Sequence, residues 1–255
     1  MQEHQKAFAR LLADTGALFF AQGLRLKDGR PSPYFVNMGL FRTGRLNSML
    51  GSYLAEMIVA NDLVRGIDVI LGPSYKGSAL AVAAAVALWR EHQIDLAFEY
   101  DRKEAKTHGE ASGKGSLFVT NALFKGARVF IVDDVVTTMG TKYDILKLLK
   151  DESDRRNLDL TVTGVGLAVN REQTTAVTNA EGKVILGERG DDPVSRFTRE
   201  TGMPVHILVG IRAVVDHLAQ EKYPVQINGE KRPLDDETLK AFYDYLAVYG
   251  VRQDH

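Results

Sequence analysis

An α/β fold, built on a central, mostly parallel sheet flanked by helices, is predicted by three observations. From residue 67 onward, short β-branched runs alternate with helical stretches, the pattern that βαβ units leave in a sequence. Val129–Phe130–Ile131–Val132 is apolar at every position, so both its faces need cover, as in a central strand between two helical layers. The chain has 255 residues, 45% hydrophobic and 25% charged, which suffices for one large buried core, or a core with a small lobe.

The first element is a helix: MQEHQKAFARLLADTG places Phe8, Leu11 and Leu12 at helical spacing among charges and lacks the apolar centre of a signal peptide. Leu18–Leu26 and Pro33–Met38 then flank Asp28–Gly29, a strong turn dipeptide. A helix followed by an antiparallel pair makes residues 1–45 a small hood over the sheet. Strands are expected at Ile67–Leu71, Ile94–Tyr100, Ala127–Asp133, Leu160–Val169 and Val205–Val209, with helices near 76–92, 141–157, 191–202 and 211–220. The longest apolar run, Ala79–Trp89, is too short to span a bilayer and rich in alanine, so it reads as a packed helix. A second hairpin is expected at 174–187, where Thr174–Thr178 and Val184–Leu186 flank Asn179–Gly182. Beyond Tyr223 come Pro224 and Pro233, then a helix from Asp235 to about Val248. No repeat or low-complexity linker interrupts the chain. One domain over 1–255 is therefore expected, with 1–45 as its hood and 222–255 as a C-terminal extension of unassigned role.

Charge and cysteine content narrow the function classes. Formal net charge is −1, which is no basic field for nucleic acid; cations that meet an anionic ligand must be clustered locally. The sequence has no cysteine, which removes disulfides and thiolate metal sites. The expectation is a cytoplasmic protein with neither a membrane nor a nucleic-acid partner.

Ligands of open α/β sheets bind at the carboxyl ends of strands, and four segments carry unusual residues there. In VFIVDDVVTTMGTKYD a buried strand runs into Asp133–Asp134, then a hydroxyl- and glycine-bearing turn, then a helix near Thr141. Amides at a helix start, with the hydroxyls of Thr137, Thr138 and Thr141, form a cradle for a phosphate. Two adjacent carboxylates would repel that phosphate unless they hold ribose hydroxyls or a nearby Mg²⁺; the plainer alternative is that Asp134 and the threonines cap a helix. GPSYKG follows the Asp68–Leu71 strand with Lys76 at its rim. It is not a Walker loop, and a plain turn is its alternative reading. EYDRKEAKTHGEASGKGS brings Arg102, Lys103, Lys106 and His108 into a Gly/Ser-rich stretch: a solvated loop, or a cover for a polyanion during reaction. Arg171 follows the strand ending at Val169, where it can grip a ligand carboxylate or merely open a surface loop.

These segments resemble a known family. VFIVDDVVTTMGT is similar to the phosphoribosyl pyrophosphate motif of type I phosphoribosyltransferases, and LKDGRPSPYFVN, GPSYKG and RKEAKTHGE, in that order, resemble orotate phosphoribosyltransferases in particular. The likeness covers roughly 5–175 and 200–215. It implies that Lys27, Tyr75 and Lys76 grip the pyrophosphate substrate, with a cis peptide before Tyr75. Arg102, Lys103, Lys106 and His108 would belong to a catalytic loop reaching in from the other subunit of a homodimer. Asp133 and Asp134 would hold the ribose hydroxyls, and the turn Val135, Thr137, Thr138, Met139, Gly140 and Thr141 the 5′-phosphate. Tyr34, Phe35, Thr137 and Arg171 would receive orotate, with Arg171 on its carboxylate. Mg²⁺ would be held mainly by substrate and water near Asp133 and Asp134.

Three departures from the family pattern stand out. Met139 occupies a place usually given to a small residue, so either Gly140 assumes that role in a longer turn or the pocket is altered. Residues 174–199 exceed the usual connection, and the tail after about 222 has no evident counterpart. Two other functions compete: phosphoribosyl transfer to another base, or a non-catalytic ligand-sensing regulator on the same fold. The Tyr34–Phe35 segment, the RKEAKTHGE loop and Arg171 argue against the first. The absence of a helix-turn-helix pattern or basic stripe argues against the second.

Overall fold

The computed structural model describes residues 1–102 and 117–252. Its centre is a five-stranded sheet in which every pair is parallel. The strands are β3 (Val69–Leu71), β4 (Ala97–Glu99), β5 (Arg128–Val136), β6 (Thr161–Asn170) and β7 (Val205–Gly210), in spatial order β4-β3-β5-β6-β7. Helices α1 (Glu3–Asp14), α2 (Gly44–Ala60), α3 (Lys76–His92), α4 (Gly140–Arg156), α5 (Pro193–Thr201) and α6 (Ile211–Gln220) supply the cover. The apolar run in β5 divides as its pleat requires: Phe130 and Val132 enter a core with α1, α2, α3 and α6, while Val129 and Ile131 enter a second core with α4 and α5. That two-faced burial is why the run tolerates no polar residue.

Helix α2 was not anticipated from the sequence. Thr43 caps it, its hydroxyl accepting from Leu46 N, and Leu50, Leu54, Met57 and Ile58 bury one face. It lies so close to α3 that a Cβ on Gly51 would sit 2.5 Å from the carbonyl oxygen of Ala83. The alanines of α3 permit that approach. Among the described residues no helix is long and apolar enough to cross a membrane.

The hood differs from the expected N-terminal lobe. Strands β1 (Leu18–Phe20) and β2 (Tyr34–Val36) pair antiparallel as expected, but β8 (Val225–Ile227) adds parallel to β1 and β9 (Glu230–Arg232) closes the edge. Helix α7 (Asp236–Tyr249) then packs Phe242 and Tyr245 edge-on to Tyr34, at centroid distances of 5.2 and 5.8 Å. The C-terminal extension thus completes the hood.

The hairpin expected at 174–187 forms only a clasped turn, with an isolated bridge Thr178↔Val184 and the bonds Asn179 N→Lys183 O and Ile185 N→Val177 O. Its outer arm is engaged elsewhere: Thr174 N donates to Tyr249 O and Thr175 N to Asp191 O. A backbone donor that already has a partner cannot extend a ladder.

Candidate active site

The carboxyl ends of β3, β5 and β6 face the hood across a cavity of about 670 Å³. Among the sequence-predicted residues, Lys27, Phe35, Lys76, Asp134, Val135, Thr137, Thr138 and Arg171 line it. A second cavity, about 500 Å³, lies behind the hood against β8 and α7 and contains none of them.

After β3 the chain turns so tightly that a Cβ on Gly72 would lie 1.8 Å from the carbonyl oxygen of Gly77, which only glycine allows. Gly72 N donates to Glu99 O, Ser74 N to the Asp101 carboxylate and the Ser74 hydroxyl to Asp101 O, pinning the turn to the end of β4. The Ser74–Tyr75 peptide is cis, as the family likeness implied. Lys76 opens α3 at the cavity wall, whereas Tyr75 projects into solvent.

The two acids of the central motif are not equivalent. Strand β5 does not end at Asp133 as expected; it continues to Val136 because β6 supplies partners at Leu167, Val169 and Asn170. Inside a strand, neighbours point to opposite faces. Asp133 turns toward α4, where its carboxylate takes a hydrogen bond from the buried Lys142 ammonium. Asp134 opens on the cavity, 3.4 Å from Lys76 Nζ. Burial and the adjacent Asp133 charge push the Asp134 carboxyl above its ordinary range, against the pull of Lys76. A carboxylate under such pressure favours hydroxyl donors or a cation and disfavours a phosphate. Asp133 itself does not line the cavity.

Thr137 and Thr138 form the exposed turn between β5 and α4. Met139, not Gly140, adopts the left-handed conformation, with φ 62°, and caps α4. Its side chain is buried in the second core, so the methionine anchors the turn from beneath and leaves the amides at the start of α4 uncovered. A Cβ on Gly140 would make only an ordinary 3.6 Å contact with Thr138 Oγ1; Gly140 has not taken over the turn. Neither Met139, Gly140 nor Thr141 lines the cavity, although Gly140 and Thr141 form the first turn of α4 beside it.

Arg171 is buried beside the hood strand, its guanidinium carbon 5.0 Å from the centroid of Tyr34 and 5.7 Å from that of Phe35. Its Nε and Nη2 are buried without a hydrogen-bond partner. Phe35 lines the cavity; Tyr34, expected to do so, is fully buried behind it with its hydroxyl donating to Arg171 O at 3.1 Å. The antiparallel register explains the exchange, since adjacent residues of β2 face opposite sides. Tyr34 therefore carries Arg171 on its ring and fixes its backbone.

Arg30 was not singled out in the sequence. It is 2% exposed, takes Asp28 through Nε and Nη2 at 2.9 and 2.7 Å, and donates from Nη1 to Thr174 O at 2.9 Å. Burial alone would raise the Asp28 carboxyl, but the hydrogen bonds and charge of Arg30, with help from Arg171, hold it below its ordinary value. The DGR spacing was the available signal for this pair.

Arg102 sits beside residues 103–116, its backbone N donating to Leu117 O at 2.6 Å. Glu99, fully buried, accepts four amides, from Tyr100, Val119, Thr120 and Ala122, and so ties both ends of this segment together. Lys103, Lys106 and His108 lie outside the described residues.

Known proteins resemble this chain in sequence and in fold. A family profile described as a phosphoribosyl transferase domain matches residues 49–155, the span from α2 through α4. Orotate phosphoribosyltransferase of Pseudomonas syringae pv. tomato is 36% identical over 258 residues, covering 98% of this chain and all of the relative. The enzyme of that name from Pseudomonas syringae pv. syringae is 37% identical with the same coverage. A crystal structure of orotate phosphoribosyltransferase from Francisella tularensis shares the fold, with TM-score 0.69 at 24% identity over 96% of this chain and 99% of that one. The similarity extends well past the 5–175 and 200–215 stretches that carry the motifs. With identity at this level running almost end to end, and the two-acid strand, tight β3 turn and strand-end arginine around one cavity, this chain belongs to the orotate phosphoribosyltransferase family.

Proposed function

We propose that this chain transfers the phosphoribosyl group of phosphoribosyl pyrophosphate to orotate, giving orotidine 5′-monophosphate and pyrophosphate, in a Mg²⁺-dependent reaction. The observation that carries the reading is the buried Arg171, with unpartnered donors, in the same cavity as Asp134 and the Thr137–Thr138 turn. A buried guanidinium without acceptors costs free energy that an anionic ligand returns. Orotate brings a carboxylate; a purine or uracil does not, and would leave those donors unmet.

In the reaction the ring nitrogen of orotate bonds to the anomeric carbon while the bond to pyrophosphate breaks, through an oxocarbenium-like sugar. No protein nucleophile is needed. Phe35 and Arg171 orient the ring, and Asp134 accepts from ribose hydroxyls, with Asp133 behind it. The Thr137–Thr141 turn receives the 5′-phosphate, and Lys27 and Lys76 meet the pyrophosphate. Asp134 offers the carboxylate oxygens that a hard cation prefers; Lys76 Nζ stands 3.4 Å from them, and a bound cation would add to its relief of the upward pressure on the carboxyl. Mg²⁺, when bound, neutralises charge on the pyrophosphate leaving group. In this reading the protein is a homodimer whose loop cations Arg102, Lys103, Lys106 and His108 serve the neighbouring subunit. Residues 222–255 belong to the same single domain, as the second half of its hood.

Arg171→Ala tests the base assignment. It removes a charge-assisted contact of roughly 1.5–3 kcal/mol, so kcat/KM for orotate should fall about 10- to 150-fold. Phosphoribosyl pyrophosphate binding without orotate should be unchanged. A variant that still prefers orotate to uracil as strongly as the parent would remove Arg171 from the base site.

A further inference from the structure

The base end of the cavity holds a second polar side chain beside Arg171. Gln173 lines the cavity and is 4% exposed. Its Oε1 accepts the Tyr245 hydroxyl at 3.0 Å. Tyr245 belongs to α7, in the C-terminal extension, and reaches Gln173 across 72 residues of sequence. Burial pushes its hydroxyl up to about 12, so the group stays a proton donor throughout the physiological range. With one lone pair of the Gln173 carbonyl oxygen taken by Tyr245, the amide is oriented, and its Nε2 hydrogens, without an acceptor among the described residues, are available to the cavity.

The surrounding backbone is set by the same extension. Gln173 and Gly250 form an antiparallel bridge, Thr174 N donates to Tyr249 O, and Val251 N donates to Glu172 O. The segment 172–174 is thus held along its length by residues 249–251, and the Gln173 side-chain amide is oriented by Tyr245.

We infer that Gln173 is a specificity-determining residue for the base, donating from Nε2 to an acceptor oxygen of the pyrimidine, and that Tyr245 is its positioning residue. The inference rests on the proposed orotate reading. It gives the C-terminal extension a part in substrate recognition in addition to closing the hood. Arg171 supplies charge to the carboxylate, and Gln173 supplies a neutral donor whose direction is fixed before the base arrives, which lowers the ordering cost of binding.

Steady-state kinetics on Tyr245→Phe, Gln173→Met and Gln173→Glu test it. Tyr245→Phe keeps the ring packed against Tyr34 and Tyr249 and deletes one neutral hydrogen bond, so KM for orotate should rise about 2- to 10-fold. kcat should stay within about twofold, and KM for phosphoribosyl pyrophosphate should not move. Gln173→Met, close in shape, should raise KM for orotate by a similar factor. Gln173→Glu turns an acceptor toward an anionic base and should raise it more than about 10-fold. The double variant Tyr245→Phe/Gln173→Met should be no worse than Gln173→Met, because the tyrosine acts through the glutamine. Unchanged orotate KM in Gln173→Met overturns the specificity role. Additive losses in the double variant, or equal losses for both substrates, overturn the positioning role in favour of general bracing. A parent protein that consumes phosphoribosyl pyrophosphate with another base, and not orotate, would instead overturn the functional reading.

Discussion

Lys142→Ala should destabilise the protein by about 3–5 kcal/mol, the cost of leaving one member of a desolvated ion pair unpaired. Lys142 and Asp133 are 3% and 9% exposed, and the lysine ammonium donates directly to the carboxylate. Neither charge can reach bulk water when the other is removed. The loss is read as a lower urea midpoint with an unchanged slope. Asp133→Leu/Lys142→Met should recover most of it, because an apolar pair of similar volume avoids the desolvation penalty. The same double variant should stay impaired in catalysis if, as proposed, the neighbouring Asp134 holds the ribose hydroxyls. A Lys142→Ala protein within about 1 kcal/mol of the parent would mean that water reaches the pair.

Mixed dimers should recover activity that neither parent has. Lys106→Ala damages the loop, and Asp134→Asn damages the acid at the cavity wall; each homodimer should be nearly inactive. If the loop crosses to the neighbouring subunit, one site of a mixed dimer inherits both lesions and the other neither. Random exchange of equal amounts gives about half mixed dimers, so activity should return to roughly a quarter of wild type. If the subunits exchange and activity stays at the sum of the two variants, loop and cavity belong to one chain.

How far the sequence could be read depended on whether a signal was local. The strand–turn–helix of 128–156 was legible because two apolar faces, two acids and a hydroxyl turn fall within one short run. Arg171 was legible from its place after a strand. Helix α2 carries a local pattern too, with Leu46, Leu50, Leu54 and Ile58 at helical spacing and a Thr43 cap. Other features had no local signal at all. Strand β8 joins β1 across two hundred residues of sequence, with Phe20 opposite Ile227, and nothing near either strand announces the other. Lys142 reads as a solvated helical lysine until the parity of β5 turns Asp133 toward it. Arg30 is buried among Asp28, the Tyr249 ring and Thr174 O, the last two of which lie far along the chain. The exchange of Tyr34 and Phe35 is a parity question in a three-residue strand, which the register with β1 decides.

The most direct measurement follows orotate absorbance after mixing the protein with orotate, Mg²⁺ and phosphoribosyl pyrophosphate, and identifies the product. Absorbance should fall only when all four are present, with equal amounts of orotidine 5′-monophosphate and pyrophosphate formed, and Arg171→Ala should slow it about 10- to 150-fold at limiting orotate. Unchanged orotate in the complete mixture, with phosphoribosyl pyrophosphate consumed on offering adenine, hypoxanthine or uracil, would contradict the account.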